Sequence, residues 1–216
     1  MTHRIALPLA LLLALAGCRD VAAPLNQQNA AGPLAARQVA SDPTWPPELH
    51  VLQQSPTAPR LQAYRASFWA RRGTQTTLFL NYRPAPGQSR GDPFLRFKIP
   101  INGLVAGAGG VPLQRGDSVR ITLTIDSVLF KVDFQPSGVV FSKASPAQLA
   151  IWYQNANPDL NGDGVVDAVD EALRQQLAIW SQSTTEAWKQ LWSKNDTTQQ
   201  YVASEVHHFS EFAICW

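Results

Sequence analysis

Ser118-Val119-Arg120-Ile121-Thr122-Leu123-Thr124-Ile125 alternates polar and apolar side chains without a break. Successive side chains of a strand point to opposite faces, so Val119, Ile121, Leu123 and Ile125 share one side and the polar set shares the other. A tight Asp126-Ser127 turn leads into Val128 to Phe134, the next strand. Upstream, Ser67-Phe68-Trp69-Ala70-Arg71 and Thr76-Thr77-Leu78-Phe79-Leu80-Asn81-Tyr82 flank Gly73, which predicts a hairpin. Phe94-Leu95-Arg96-Phe97-Lys98-Ile99 follows. Gly- and Pro-rich breaks separate these pieces, and no long amphipathic helix precedes residue 165. Many short strands with turn signals between them predict an all-β fold, a β-sandwich.

Downstream, two segments echo each other. Gln148-Leu-Ala-Ile-Trp152-Tyr-Gln154 returns as Gln176-Leu-Ala-Ile-Trp180-Ser-Gln182. Two strands are expected, with one or two helical turns in Ala168 to Gln175. The alternative is one amphipathic helix from Ala168 to Trp180, with Val169, Leu173, Leu177 and Trp180 on a stripe. With two strands, the intervening insertion, 155–175, stands at the tip of a hairpin.

That insertion holds Asp159-Leu-Asn161-Gly-Asp163-Gly164-Val165-Val166-Asp167-Ala-Val-Asp170. Oxygen side chains occupy positions 1, 3, 5, 9 and 12 of a twelve-residue loop, with glycine at position 6. This is the ligand spacing of an EF-hand-type calcium loop. Ca²⁺ takes six to eight oxygens at roughly 2.3–2.6 Å. Asp159, Asn161 and Asp163 supply side-chain oxygens, and Gly164 makes the sharp turn. Val165 offers its backbone carbonyl, Asp167 binds directly or through water, and Asp170 closes the site. Val166, at position 8, is expected to point to the core. Four carboxylates this close repel one another without a cation. Aspartate at position 12 is shorter than the usual bidentate Glu, which places the affinity at roughly 10⁻⁵ to 10⁻³ M. The loop also resembles one half of a dockerin module. Dockerins carry two such loops and this chain has one, so a dockerin-type docking role is not implied.

Composition bounds the rest. The net charge is +2, and no Lys/Arg run points to nucleic acid. Seven Trp fit a filled β core or an exposed aromatic patch, with Trp152, Trp180, Trp188 and Trp192 as candidates for binding a glycan or a protein. There are two cysteines, Cys18 and Cys215, and no internal disulfide is expected. Cys215 reads as a small buried apolar residue. Arg4 followed by the apolar run Ile5 to Ala16 reads as an export signal, too short to span a bilayer.

The run ends in Leu15-Ala16-Gly17-Cys18, which resembles the lipobox of bacterial lipoproteins. The resemblance implies cleavage before Cys18, a diacylglyceryl group on its thiol and an acylated amino group. Each buried CH₂ contributes about 0.8 kcal/mol, so two or more chains anchor the protein stably in a lipid bilayer. Arg19 after Cys18, by resemblance to lipoprotein sorting patterns, implies the outer membrane of the cell envelope. Residues 18–62 are rich in Pro, Ala and Gln and read as a tether reaching roughly 35 Å. The expected organisation is thus a signal peptide at 1–17, a lipidated tether at 18–62 and a sandwich at 63–216.

Five segments in order resemble the ZU domain, the β-sandwich named from zonula-occludens and Unc-five proteins. They are Lys98-Ile-Pro-Ile-Asn-Gly-Leu104, Phe134-Gln-Pro-Ser-Gly-Val-Val-Phe141, Ala147 to Tyr153, Trp188-Lys-Gln-Leu191, and Val206-His-His208-Phe209-Ser210-Glu-Phe-Ala-Ile214. The likeness covers residues 94–216 and implies a non-catalytic interaction or structural module. Some relatives cleave themselves between Phe and Ser of the closing motif, which makes Phe209-Ser210, with His208 as base, an alternative function. His207 and His208 face opposite sides of a strand and are not expected to share a metal ion.

Overall fold

The computed structural model describes Pro46, residues 48–183 and residues 186–216. Ser118–Ile125 is the strand its alternation dictates, with Val119, Ile121, Leu123 and Ile125 buried. In chain order the strands begin with β1 (Arg65–Arg71), β2 (Thr76–Asn81), β3 (Pro93–Ile99), β4 (Leu104–Ala106), β5 (Ser118–Ile125), β6 (Lys131–Gln135), β7 (Val140–Phe141) and β8 (Ala147–Trp152). One helix, α1 (Ala168–Arg174), separates them from β9 (Ala178–Ser183), β10 (Glu186–Gln190), β11 (Ser193–Asp196), β12 (Tyr201–Val206) and β13 (Glu211–Cys215).

The fold is an all-β sandwich. One sheet has six strands in the order β1-β5-β6-β13-β9-β10, and the other has five in the order β11-β12-β8-β3-β2. β4 and β7 form a separate ribbon. The inner faces bury a phenylalanine cluster. Phe134 stacks on Phe209 at 5.0 Å between ring centroids, and Phe97 lies 4.6 Å from Phe134. Phe141 and Phe212 close the group edge-on. Ring pairs at such separations add about 0.5–1.5 kcal/mol each beyond their buried area.

Three expectations are corrected. β1 and β2 do not form a hairpin: β1 pairs with β5, and β2 pairs with β3 in the opposite sheet. Phe68 and Leu78 both pack on the shared core, so the turn at Gly73 arches from one sheet to the other. Alternation reveals which side of a strand is apolar and says nothing about which neighbour completes its hydrogen bonds. The echoed segments are strands, with the helix ending at Arg174, yet they also lie in opposite sheets. β8 pairs with β12 and β3, while β9 pairs with β13 and β10. The insertion is therefore a crossover between sheets and not a hairpin tip.

The third correction concerns the end of the tether. Leu52 and Leu61 are each 1% exposed. Val51 bridges Cys215, Gln53 bridges Leu129, and Leu61 bridges Tyr82. The backbone N–H of His50 donates to Trp216 O, and that of Trp216 donates to His50 O. The sandwich thus includes residues 49–62. Pro56 and Pro59 limit this segment to isolated bridges, the pairing that proline's missing donor allows. Residues 1–45, with the signal peptide, Cys18 and most of the tether, lie outside the described residues.

Candidate functional site

The crossover between β8 and α1 brings the oxygen-rich residues into one loop. Gly162 and Gly164 adopt φ of 77° and 88°, the left-handed conformation that glycine takes without steric cost. Between them the chain coils around Asp159. The Asp159 carboxylate accepts the Gly162 N–H at 2.7 Å and the Gly164 N–H at 2.9 Å. Asn161 Oδ1 accepts from Asp163 N–H, Asn161 Nδ2 donates to Asp163 Oδ2, and Asp163 Oδ1 accepts from Val165 N–H.

Asp170 closes the loop from the far end. It is fully buried, although only two residues before it Ala168 is exposed. Its Oδ1 accepts from Leu160 N–H at 2.6 Å and Asn161 N–H at 3.2 Å, and its Oδ2 accepts from Asp167 N–H at 2.9 Å. Asp167 caps α1 by accepting from Val169 N–H at 2.7 Å, and it forms a reciprocal capping box with Asp170, each side chain accepting from the other's backbone N–H. The Asp167 N–H holds the Asp170 carboxyl below the ordinary carboxylate value; burial opposes this, and the Leu160 and Asn161 N–H groups reinforce it. One aspartate thereby ties position 12 to positions 2, 3 and 9.

Asp159, Asp163, Asp167 and Asp170 have no Lys or Arg partner among the described residues; Arg174 pairs with Glu171 instead. Drawn together, four negative side chains without a counter-charge would repel one another unless a cation stood between them. Among the described residues, no three His, Cys, Asp or Glu side chains are gathered closely enough to hold a metal by themselves. The candidate donor set holds four aspartates beside the Asn161 amide and the Val165 carbonyl, and its carboxylates do not converge on one point in this structure. Asn161, Asp163 and Asp167 are exposed, and each side chain is engaged in a hydrogen bond within the loop. Val166 is 56% exposed and does not point to the core as position 8 was expected to. The loop stands off the sandwich here, and Leu160 on its opposite limb makes the apolar contact.

A second cluster lies between β12 and β13. Phe209 N–H donates to Val139 O at 3.0 Å, and Phe141 N–H donates to His207 O at 2.7 Å. These bonds hold the His208-Phe209-Ser210 corner against the core. His208 Nδ1 stands 3.4 Å from the Phe209 carbonyl oxygen. Ser210 Oγ is buried and lacks a hydrogen-bond partner among the described residues. A cavity of about 830 Å³ opens beside it, lined by Gln135, Gly138, Glu186, His208, Phe209 and Ser210 among others. His207 is exposed and His208 half-buried, and both lie beyond the end of β12 at Val206.

The four candidate tryptophans divide. Trp188 is buried against Ala213 and Cys215, Trp180 packs on the same cluster, and Trp152 is half-buried beside Tyr201. Trp192 alone of the four is widely exposed, at 82%. Trp69, which the composition argument passed over, is 66% exposed. Its signal was already present: in Ser67 to Arg71 it sits opposite in parity to Phe68. Cys215 is buried as expected, and burial pushes its thiol pKa up. No protein-family model, curated protein or solved structure matches this chain.

Proposed function

We propose that this chain is a calcium-binding, non-catalytic module of the cell envelope, held to a membrane through lipid on Cys18. The observation that carries the calcium reading is the closure by Asp170. A buried aspartate draws the loop into a ring whose remaining oxygens belong to Asp159, Asn161, Asp163, Val165 and Asp167. The bound ion supplies a positive centre for four carboxylates that have no Lys or Arg partner among the described residues. Its task is structural: the loop is the crossover between two sheets, and fixing it fixes the joint between β8 and β9. Isothermal titration of the full chain with CaCl₂ tests this. Heat that saturates with about one ion per chain is expected, together with its disappearance in Asp163→Ala. A flat titration to millimolar calcium refutes the reading. The lipid anchor is tested separately, by the mass of the diacylglyceryl group on Cys18 in protein purified from a bacterial membrane.

A second reading is favoured by one specific observation, the buried Ser210 hydroxyl without a partner among the described residues. Such a group is a departure that native structures keep for a reason, catalysis among them. Its Oγ would attack the Phe209 carbonyl carbon, with His208 taking the hydroxyl proton and delivering it to the leaving Ser210 nitrogen. The peptide C–N bond breaks, and water hydrolyses the resulting ester. An intact mass for the purified chain ends this reading. Two fragments divided between Phe209 and Ser210, absent in Ser210→Ala, support it.

A further inference from the structure

The outer face of β1 and β5 carries a group of side chains that neither the calcium loop nor the Ser210 corner uses. β1 is the edge of the six-stranded sheet, and its outward residues are Arg65, Ser67, Trp69 and Arg71. The register sets Trp69 opposite Arg120, and Ser67 opposite Thr122. The two hydroxyls are 2.9 Å apart. Gln135 of β6 stands on the far side of Thr122. Arg65, Ser67, Arg120, Thr122, Gln135 and Pro136 line a shallow depression of about 440 Å³, within the size range of ligand sites. Among the described residues, Arg65 and Arg120 are paired with no carboxylate.

Charge on an edge strand guards against strand addition. That purpose explains Arg65 and Arg71. It does not explain a Trp left 66% exposed between them, because an apolar ring at an edge invites the contact that charge prevents. The chemistry of the face is more specific. Arginine presents a planar fork that pairs a carboxylate through two bonds. The paired hydroxyls both donate and accept, and the Gln135 amide oxygen can accept, which suits alcohols. The Trp69 ring offers an electron-rich face to C–H groups. Arg65 and Trp69 are four residues apart, or about 13 Å along an antiparallel strand. That span exceeds one sugar ring, so an extended chain fits better than a monosaccharide. Further across the sheet the face turns acidic at Asp133 and Glu211, where Gln135 and Lys131 are engaged. An anionic chain is thereby confined to the β1–β5 half.

We propose that this face binds an acidic polysaccharide bearing uronate carboxylates, with a sugar ring stacked on Trp69 and its carboxylates on Arg65 and Arg120. The test is calorimetric titration of the full chain with polygalacturonate in buffer containing EDTA, so that the calcium loop plays no part and the two proposals fail independently. Saturable binding is expected, weakened at least tenfold by Trp69→Ala and by Arg120→Gln, and reduced by added NaCl. Both side chains are exposed, so both variants should melt at the wild-type temperature. Dextran, which lacks the carboxylate, should give no heat. The proposal is overturned if polygalacturonate gives no heat, if Trp69→Ala binds as tightly as the wild type, or if phosphatidylglycerol vesicles bind the chain while polygalacturonate does not.

Discussion

Adding calcium should raise the melting temperature of this protein by an amount that the Asp170 geometry bounds. An ionised carboxylate offers about four lone-pair directions. Asp170 already accepts three backbone N–H groups. One direction is left, so Asp170 can give a cation a single oxygen where a position-12 glutamate gives two. With fewer and weaker ligands, the proposed site would belong to the low-affinity class of such loops, with a Kd of ~10⁻⁴ M. At a hundredfold excess over that Kd, about 10 mM calcium, binding to the native state alone adds about 2.7 kcal/mol. For a domain of about 150–250 residues, each kcal/mol moves Tm by about 2–4 °C, so the expected shift is about 5–10 °C. Differential scanning calorimetry at matched ionic strength measures it. Magnesium, which demands a tighter octahedral shell, should give a smaller shift. Asp163→Ala removes one donor and the two loop bonds it makes, and should abolish the shift. A rise below about 1 °C in calcium, against the 2–4 °C that a single kcal/mol gives, refutes the reasoning. So does the same rise in Asp163→Ala.

Other outcomes follow from the packing. Phe209→Ala deletes a ring that contacts Phe97, Phe134 and Phe141; it should cost about 3–5 kcal/mol in urea denaturation, and a loss below 1 kcal/mol would mean that the cluster is not closely packed. Ser210→Ala removes a buried hydroxyl without a partner among the described residues, so the variant should be at least as stable as the parent; a clear loss would reveal a bond to Oγ. Gly138 has φ of 78°, and a Cβ there would lie 2.8 Å from Gly109 N. Gly138→Ala should therefore destabilise by more than about 1 kcal/mol, measured the same way. Tyr153 is buried, donates to Asn195 Oδ1 at 3.0 Å and has a phenol pKa pushed up by burial to about 12. A raised folded-state value means that this stabilisation is complete below the ordinary 10.0 and is lost as pH climbs toward 12. Absorbance at alkaline pH should show two of the four tyrosines, Tyr82 and Tyr153, titrating late, because burial raises both; simultaneous ionisation of all four would contradict this.

The strands were written in the chain locally. Period-two alternation at Ser118–Ile125 needed only the geometry of an extended backbone, in which neighbouring side chains face opposite ways, whereas Leu177–Trp180 fitted a helical stripe as well as a strand. The loop register was equally local, because six candidate ligand positions within twelve residues are a property of short-range spacing. Gly162 and Gly164 turn where such a loop must turn.

Partner choice was not local. Backbone N–H and C=O groups are the same in every strand, so the sequence could not say that β1 would take β5, that β8 and β9 would part into opposite sheets, or that Leu52 and Leu61 would draw a proline-rich segment onto the core. Those choices minimise exposed apolar area over the whole sandwich. Burial of one aspartate and exposure of one tryptophan were decided in the same way. Asp170 is inside because three N–H groups from distant turns of the loop reach it, and Trp69 is outside because the face it shares with Arg120 had no layer left to cover it.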